Sequence, residues 1–247
     1  MIEIINLSKS FNNQQVLKNL NLTIKKGQTR VIIGRSGCGK SVLLKHIVCL
    51  LKPDSGQVII DSQDITKMEE NGINRLRLRI GLLFQGAALF DSLDVGENVG
   101  FVLREHTDAD EATITKRVSE SLELVGLRGV EPLMPAELSG GMKKRVGLAR
   151  AICAHPDIIL YDEPTTGVDP IMADAINTLI RQLHDKLQVT SIIVTHDMVS
   201  AYKIADAISM LYDGRIIESG TPEEIKNSKD PVVQQFIQGA AQGPITD

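Results

Sequence analysis

The stretch that most constrains this chain is residues 34–41, which read Gly-Arg-Ser-Gly-Cys-Gly-Lys-Ser. An apolar run at residues 31–33 precedes it, and residues 42–47 follow with apolar side chains at helical spacing. A phosphate-binding P-loop needs this strand–loop–helix setting. Its glycines let the backbone turn so tightly that successive amide N–H groups point into one cup and donate to phosphate oxygens. The stretch therefore predicts a binding site for a nucleoside triphosphate.

Individual residue types in the loop fit the same chemistry. Lys40 supplies a positive charge for the terminal phosphates, and the Ser41 hydroxyl can ligate Mg²⁺. A helix beginning near Lys40 adds the positive end of its dipole. A glycine-rich turn that merely matches the pattern is the alternative, and the flanking segments disfavour it. We expect these residues to line the nucleotide site: Gly34, Arg35, Ser36, Gly37, Cys38, Gly39, Lys40, Ser41 and Val42.

Composition limits the class of protein. A chain of 247 residues that is 43% hydrophobic suits one sizeable α/β domain, or a domain with an inserted lobe. The net charge of −4 provides no positive field for nucleic acid, so we expect no nucleic-acid partner. We interpret the local basic clusters as solvated surfaces: Arg75, Arg77 and Arg79, and Lys143, Lys144 and Arg145.

Cysteines and apolar runs bear on location. The three cysteines lack metal-ligand spacing, and an odd count argues against a disulfide framework, which fits a reducing compartment. Residues 1–6 lack the basic region of a secretory signal. No uncharged apolar stretch reaches the roughly 18–20 residues of a membrane span. We therefore expect a soluble protein whose membrane role comes through a partner.

The order of strand and helix patterns predicts an α/β fold. Short strands at residues 2–7 and 20–24 open the chain, with Phe11 in the polar loop between them. Phe11 either stacks on a base or belongs to a small satellite core. We expect a core of residues 1–86 and 155–247, with a frayed end at 239–247, and a mainly helical subdomain inserted at 87–154.

Polar residues follow several of the apolar runs. Asp162 and Glu163 end one strand, where one carboxylate can orient Mg²⁺ and the other can polarise an attacking water. Gln85 and His196 also end strands, and His196 is either structural or a contact to the γ-phosphate or the water. These positions predict a catalytic edge beside the phosphate cup.

A second helix start follows Leu138, in the sequence Ser-Gly-Gly of residues 139–141. Serine is a good cap, and the two glycines leave amides open for an anion. Two anion-binding helix starts and one triphosphate site suggest that two copies share each nucleotide. The alternative is an ordinary helix cap.

Taken in order, these motifs resemble the ATP-binding subunit of an ABC transporter over essentially the whole chain. The resemblance implies a RecA-like P-loop NTPase core with an antiparallel β subdomain and an inserted α-helical subdomain carrying the signature motif. It implies an ATPase that uses ATP and Mg²⁺ as a homodimer. It implies catalytic roles for Glu163 (the general base), His196, Gln85 and Lys40, and metal ligation by Ser41, Gln85 and Asp162.

The remaining implied roles concern the nucleotide and the dimer. Phe11 would stack on adenine, and Asp169 would communicate between the two subunits. The residues implied to contact the opposite subunit's γ-phosphate are Ser139, Gly140 and Gly141.

Departures from the common pattern indicate a subfamily. Met142 replaces the usual Gln, Thr-Gly-Val precedes Asp169, and Phe11 stands where Tyr is commoner. Several segments are similar to Mla-type ATPases, which serve MCE-domain permeases that move phospholipid between bacterial membranes: residues 84–90 with 94–99, 138–145 and 230–236.

That resemblance implies partners and a location. It implies an MCE/MlaE-type integral-membrane permease docking near residues 86–105, and it leaves room for a small accessory subunit. The chain would lie in the cytoplasm on the inner face of the inner membrane. A non-transport ABC ATPase, such as a cluster-assembly ATPase, remains the alternative. Glu163 and His196 together disfavour a purely structural nucleotide-binding module.

Overall fold

A computed structural model describes residues 1–245, which fold as two compact units. The first unit comprises Met1–Ile73 and Ile192–Asp247, and the second is Asn74–Ser191. Thr246 and Asp247, which end the segment expected to be frayed, lie outside the described residues. The predicted subdomain limits at residues 87 and 154 stay a prediction.

Strands and helices alternate along most of the chain, as the α/β prediction requires. The strands are β1 (Ile2–Phe11), β2 (Gln14–Ile24), β3 (Thr29–Ile33), β4 (Ser55–Ile60), β5 (Gln63–Asp64), β6 (Ile80–Leu83), β7 (Ile158–Asp162), β8 (Thr190–Thr195), β9 (Ala207–Tyr212) and β10 (Arg215–Gly220). The α-helices are α1 (Lys40–Ile47), α2 (Glu70–Leu78), α3 (Val95–His106), α4 (Glu111–Leu124), α5 (Gly140–Ile152), α6 (Pro170–Leu187), α7 (Met198–Ile204), α8 (Pro222–Lys226) and α9 (Pro231–Gln238). None of these helices is long and apolar enough to cross a membrane.

The first unit contains an antiparallel sheet in the order β2-β1-β4-β5. Its first strands are longer than predicted. Asn6 and Asn19 take positive φ within them, and the register shifts along the pair hide the alternation of apolar residues. Phe11 is the last residue of β1, so its prediction as a loop residue was wrong. The connection consists only of Asn12 and Asn13, both with positive φ, as a two-residue hairpin turn requires.

A second sheet of the first unit carries the P-loop. Its strand order is β10-β9-β3-β8, with β3 parallel to β9 and β10 antiparallel to β9. Every residue of β3 is buried, as expected for an apolar strand at the centre of a sheet. The loop of residues 34–39 therefore starts from a fixed position.

The second unit joins a parallel strand pair to helices. β6 and β7 pair in parallel, with Leu83 opposite Tyr161. The helical segment predicted at residues 87–154 contains α3, α4 and α5. An apolar stripe follows α4, since Val118, Leu122 and the C-cap residue Val125 are all buried.

Close contact between β6 and α5 depends on Gly81. A Cβ at this position would lie 2.2 Å from the Ala151 carbonyl oxygen, which is backbone and cannot move aside as a side chain does. We predict that Gly81→Ala lowers the free energy of unfolding by roughly 1–3 kcal/mol or more, because overpacking forces the helix away from the strand. Urea unfolding measures the change. Gly86→Ala is the control, since a Cβ there would meet nothing within 4 Å; equal stability of both variants would contradict the packing argument.

Candidate functional site

The P-loop connects β3 to α1 without room for side chains at its start. Gly34 has φ 157°, and a Cβ there would lie 2.4 Å from the Leu211 carbonyl oxygen. Gly39, with φ 107°, is the N-cap of α1, whose first turn contains no acidic residue. A helix start of this kind favours an anion.

Lys40 lies inside the loop. Its side chain is only 5% exposed. Its Nζ donates hydrogen bonds to the carbonyl oxygens of Gly34 (2.8 Å) and Arg35 (3.0 Å). The ammonium group is thereby held beside the backbone that is predicted to cradle phosphates.

His46 lies near the other end of α1. It is buried, its Nδ1 lies 2.7 Å from the Val42 carbonyl oxygen, and its Nε2 has no hydrogen-bond partner among residues 1–245. Burial lowers the pKa of the imidazole from its ordinary value of 6.5. The hydrogen bond to Val42 and the charge of Asp54 oppose this effect, and the charge of Lys9 adds to it. The folded chain therefore favours the neutral ring.

This burial predicts a loss of stability in acid. Below pH 6.5 the unfolded chain binds a proton at His46 that the folded chain binds less readily, so unfolding is favoured as the pH falls. We expect His46→Leu to lose less stability than the original chain between about pH 7.5 and 5.5. Urea midpoints at the two pH values measure this difference. Equal losses in the two proteins would exclude His46 as the cause.

In the second unit, the predicted carboxylates lie at the end of β7. Asp162 is its last residue, and Glu163 follows with φ 48°, an uncommon conformation for a non-glycine residue. Glu163 is 8% exposed. Thr166 donates its backbone N–H to the Glu163 carbonyl (3.2 Å) and its Oγ1–H to Glu163 Oε2 (3.3 Å). The carboxylate is thus shielded and held in place.

Gln85 leaves the neighbouring strand at the same edge, because β6 and β7 are parallel and in register. Its side chain is exposed, and its carbonyl oxygen accepts a hydrogen bond from Lys144 Nζ. Lys144 is 5% exposed, so its interpretation as part of a solvated cluster was wrong. Burial lowers the pKa of its ammonium group, and the charges of Glu163 and Asp162 oppose that effect.

Sequence reasoning therefore missed a buried cation at this edge. The signal was present in the spacing, since Lys144 shares one face of α5 with Leu148 and Ala151 at i, i+4 and i+7, and both of these are buried. The run of three basic residues concealed this pattern.

Ser139 is the N-cap of α5, and its Oγ accepts a hydrogen bond from the Met142 N–H at 3.2 Å. Gly140 is exposed, with nothing within 4 Å of an added Cβ, whereas a Cβ on Gly141 would approach Met172 Sδ to 2.7 Å. Asp169 caps α6 through the amides of Ile171 and Met172, both at 3.0 Å. The helix α5, which begins within the signature residues 138–141, thus starts at the surface without an acidic residue in its first turn.

Phe11 and His196, the remaining predicted residues, belong to the first unit. Phe11 is 40% exposed, and Lys9 Nζ lies 5.6 Å from the centre of its ring. His196 is exposed between Thr195, which ends β8, and Asp197, the N-cap of α7. The second unit thus brings together Gln85, Asp162 and Glu163, and the first unit carries the P-loop residues, Phe11 and His196.

The second unit also has an apolar groove of about 430 Å³ beside Gln85. Phe84, Phe90 and Phe101 line it, and the ring centroids of Phe90 and Phe101 lie 4.7 Å apart. Phe84 and Phe90 are exposed. Arg150 of α5 contributes to the wall. The groove is a surface on which an apolar partner segment can bury area.

Comparison with known proteins identifies the family. The sequence profile described as ABC transporter matches residues 17–166. The intermembrane phospholipid transport system ATP-binding protein MlaF of Haemophilus influenzae is 44% identical, covering 99% of this chain and 93% of that protein. The probable ribonucleotide transport ATP-binding protein mkl of Mycobacterium bovis is 42% identical, covering 99% and 68%.

A solved structure agrees with these matches. The dimeric post-hydrolysis structure of the ATP-binding cassette MJ0796, bound to ADP and Pi, superposes with a TM-score of 0.82 at 33% identity. The superposition covers 90% of this chain and 99% of the MJ0796 chain. The expected fold, a P-loop NTPase with a β subdomain and a helical subdomain, is confirmed. The chain therefore belongs to the ABC transporter family, in which it is an ATP-binding subunit.

Proposed function

We propose that this subunit hydrolyses ATP to power a separate membrane permease that transports phospholipid between bacterial membranes. Its membership of the family makes it an ATPase. The observation that supports phospholipid as the cargo is the 44% identity, over nearly the full length of both chains, to a protein named for intermembrane phospholipid transport.

Binding of ATP is assigned to the first unit's loop. Lys40 and the backbone amides of residues 34–41 bind the phosphates, assisted by the N-terminal end of α1. Phe11 is assigned to stack on adenine, because its ring is exposed at the end of β1. His196, exposed at the end of β8, is assigned to the γ-phosphate.

Hydrolysis is assigned to the carboxylates at the end of β7. Glu163, shielded and bonded to Thr166, accepts the proton of the attacking water. The residues proposed to hold Mg²⁺ are Ser41, Gln85 and Asp162, whose oxygen donors suit this hard cation. When bound, the ion neutralises charge on the phosphate oxygens.

We propose that two copies of the chain bind two ATP molecules between them. Each nucleotide would lie between the P-loop of one copy and residues 139–141 of the other, with Asp169 at the same interface. Support comes from the exposed start of α5, from the absence of acidic residues in its first turn, and from the dimeric state of the MJ0796 cassette. Two helix N-termini on one triphosphate stabilise closure electrostatically.

The groove beside Gln85 is assigned to the permease. We propose that a cytoplasmic helix of an MCE/MlaE-type permease packs its apolar face against Phe84, Phe90 and Phe101, which lie in and beside the predicted docking segment of residues 86–105. The chain would then lie on the inner face of the inner membrane through this contact. The proposed assembly leaves room for a small accessory subunit.

Isolation of the full-length chain from detergent-solubilised membranes tests these partners and the cargo. We expect an integral-membrane protein and enriched phospholipid in the captured complex, together with ATPase activity. Capture of soluble cluster-assembly proteins without a membrane protein would contradict the transport function. Enrichment of ribonucleotides instead of phospholipid would support the cargo named for the mycobacterial relative and overturn ours.

A further inference from the structure

The segment that follows Gln85 is strained. Ala87 and Ala88 have φ of 62° and 48°, and two successive alanines in the left-handed region are unusual. This conformation costs roughly 1–2 kcal/mol for each residue that has a Cβ. It persists only where neighbouring groups impose it. The neighbouring groups here belong to α5.

Arg150 of α5 holds both alanines. Its Nη2 donates to the Ala87 carbonyl oxygen at 2.5 Å and its Nη1 to the Ala88 carbonyl oxygen at 2.7 Å. Burial lowers the pKa of this guanidinium, so a charged group has been placed where solvation is poor. Its planar fork of donors bonds the adjacent carbonyls simultaneously.

Lys144 holds Gln85, which lies two residues before the strained pair. Its buried ammonium group donates to the Gln85 carbonyl and lies close enough to Glu163 and Asp162 for their charges to affect it. A buried cation that meets one neutral carbonyl and two nearby carboxylates is compensated from several directions. Lys144 therefore connects the backbone of Gln85 with the carboxylates after β7.

Gly147 lets α5 approach the segment between these two contacts. A Cβ at Gly147 would lie 2.8 Å from Leu83 Cδ1 and 3.2 Å from the Cβ of Ala87. Lys144, Gly147 and Arg150 follow at i, i+3 and i+6 on the helix whose first turn contains the signature glycines. One rigid helix thus contacts the Gln85 segment along its length.

We propose that Lys144 and Arg150 are positioning residues, which hold the backbone of residues 85–88 in its strained conformation and thereby place Gln85 beside Asp162 and Glu163. The inference rests on the proposed hydrolysis. Arg150 and Ala88 also line the apolar groove, so their hydrogen bond lies in its wall.

Steady-state ATP hydrolysis by the full chain with Mg²⁺ tests the inference. We expect Lys144→Met and Arg150→Met to lower kcat by about 10–100-fold, since small displacements of positioned groups have effects of this size. KM for ATP should stay unchanged, because neither residue is assigned to bind nucleotide. Lys144→Arg should recover most of the rate, and Arg150→Lys should not, because an ammonium group lacks the fork. Lys116→Met is the matched control, since Lys116 lies exposed on α4.

Amide hydrogen exchange over residues 84–90 gives a readout independent of activity. The Ala87 N–H donates to the Phe84 carbonyl at 2.9 Å, and its exchange should accelerate in Arg150→Met and in Arg150→Lys. The inference would be overturned if amide exchange were unchanged in the Arg150 variants, or if folded Lys144→Met had the same kcat as the unsubstituted chain. If Lys144→Met does not fold, Arg150→Lys decides by the same measurements. If the unsubstituted chain had no ATPase activity, the proposed function would be contradicted instead. The exchange experiment would then still test the hydrogen bonds of Arg150.

Discussion

Glu163→Gln is expected to hydrolyse ATP about 10²–10⁴ times more slowly than the original chain, the usual contribution of a general base. Glutamine keeps the shape of the side chain and its contact with Thr166 Oγ1, but it cannot accept the proton of a water molecule. ATP binding should persist, since the phosphate contacts are assigned to the P-loop. Single-turnover hydrolysis and equilibrium binding of ATP measure the two quantities separately.

Trapping of the dimer follows from the same substitution. If two copies close over ATP and reopen after hydrolysis, Glu163→Gln should accumulate as a closed dimer in the presence of ATP and Mg²⁺. Size-exclusion chromatography with light scattering measures the mass. The control is Glu120→Gln, because Glu120 lies exposed on α4 and its loss should change neither rate nor mass. Rapid steady-state hydrolysis by Glu163→Gln would exclude Glu163 as the base.

Local patterns were sufficient to predict the core of this fold. The glycines and apolar flanks of residues 34–41 determine a strand, a tight turn and a helix within a short stretch, so β3 and α1 appear where expected. Ser139 and Asp169 lie at the N-caps of their helices because a capping side chain acts on amides only two or three residues away. Contacts of such short range can be inferred from sequence.

Lys144 and Phe11 show where that reasoning fails. The burial of Lys144 depends on a carbonyl at Gln85 and on carboxylates after β7, and these groups are far apart in the sequence. Phe11 was misplaced because Asn12 and Asn13 form a complete turn by themselves, which allows β1 to continue through an apparently polar loop. Tertiary context decided the burial of Lys144, whereas the placement of Phe11 depended on a local two-residue turn. The strain at Ala87 and Ala88 is likewise invisible in a sequence that reads as an ordinary Gly-Ala-Ala loop.

Lys40→Ala should weaken ATP binding strongly, whereas Glu163→Gln should preserve it. Lys40 contributes a buried positive charge whose loss leaves the phosphates uncompensated, so the affinity for ATP is expected to fall by about 10²-fold or more. Lys45→Ala is the matched control on the same helix, because Lys45 is exposed. Isothermal titration with a non-hydrolysable ATP analogue measures both variants. Unchanged affinity in Lys40→Ala would remove Lys40 from the phosphate site, whereas equal losses in both variants would point to damage of α1 rather than to a lost charge.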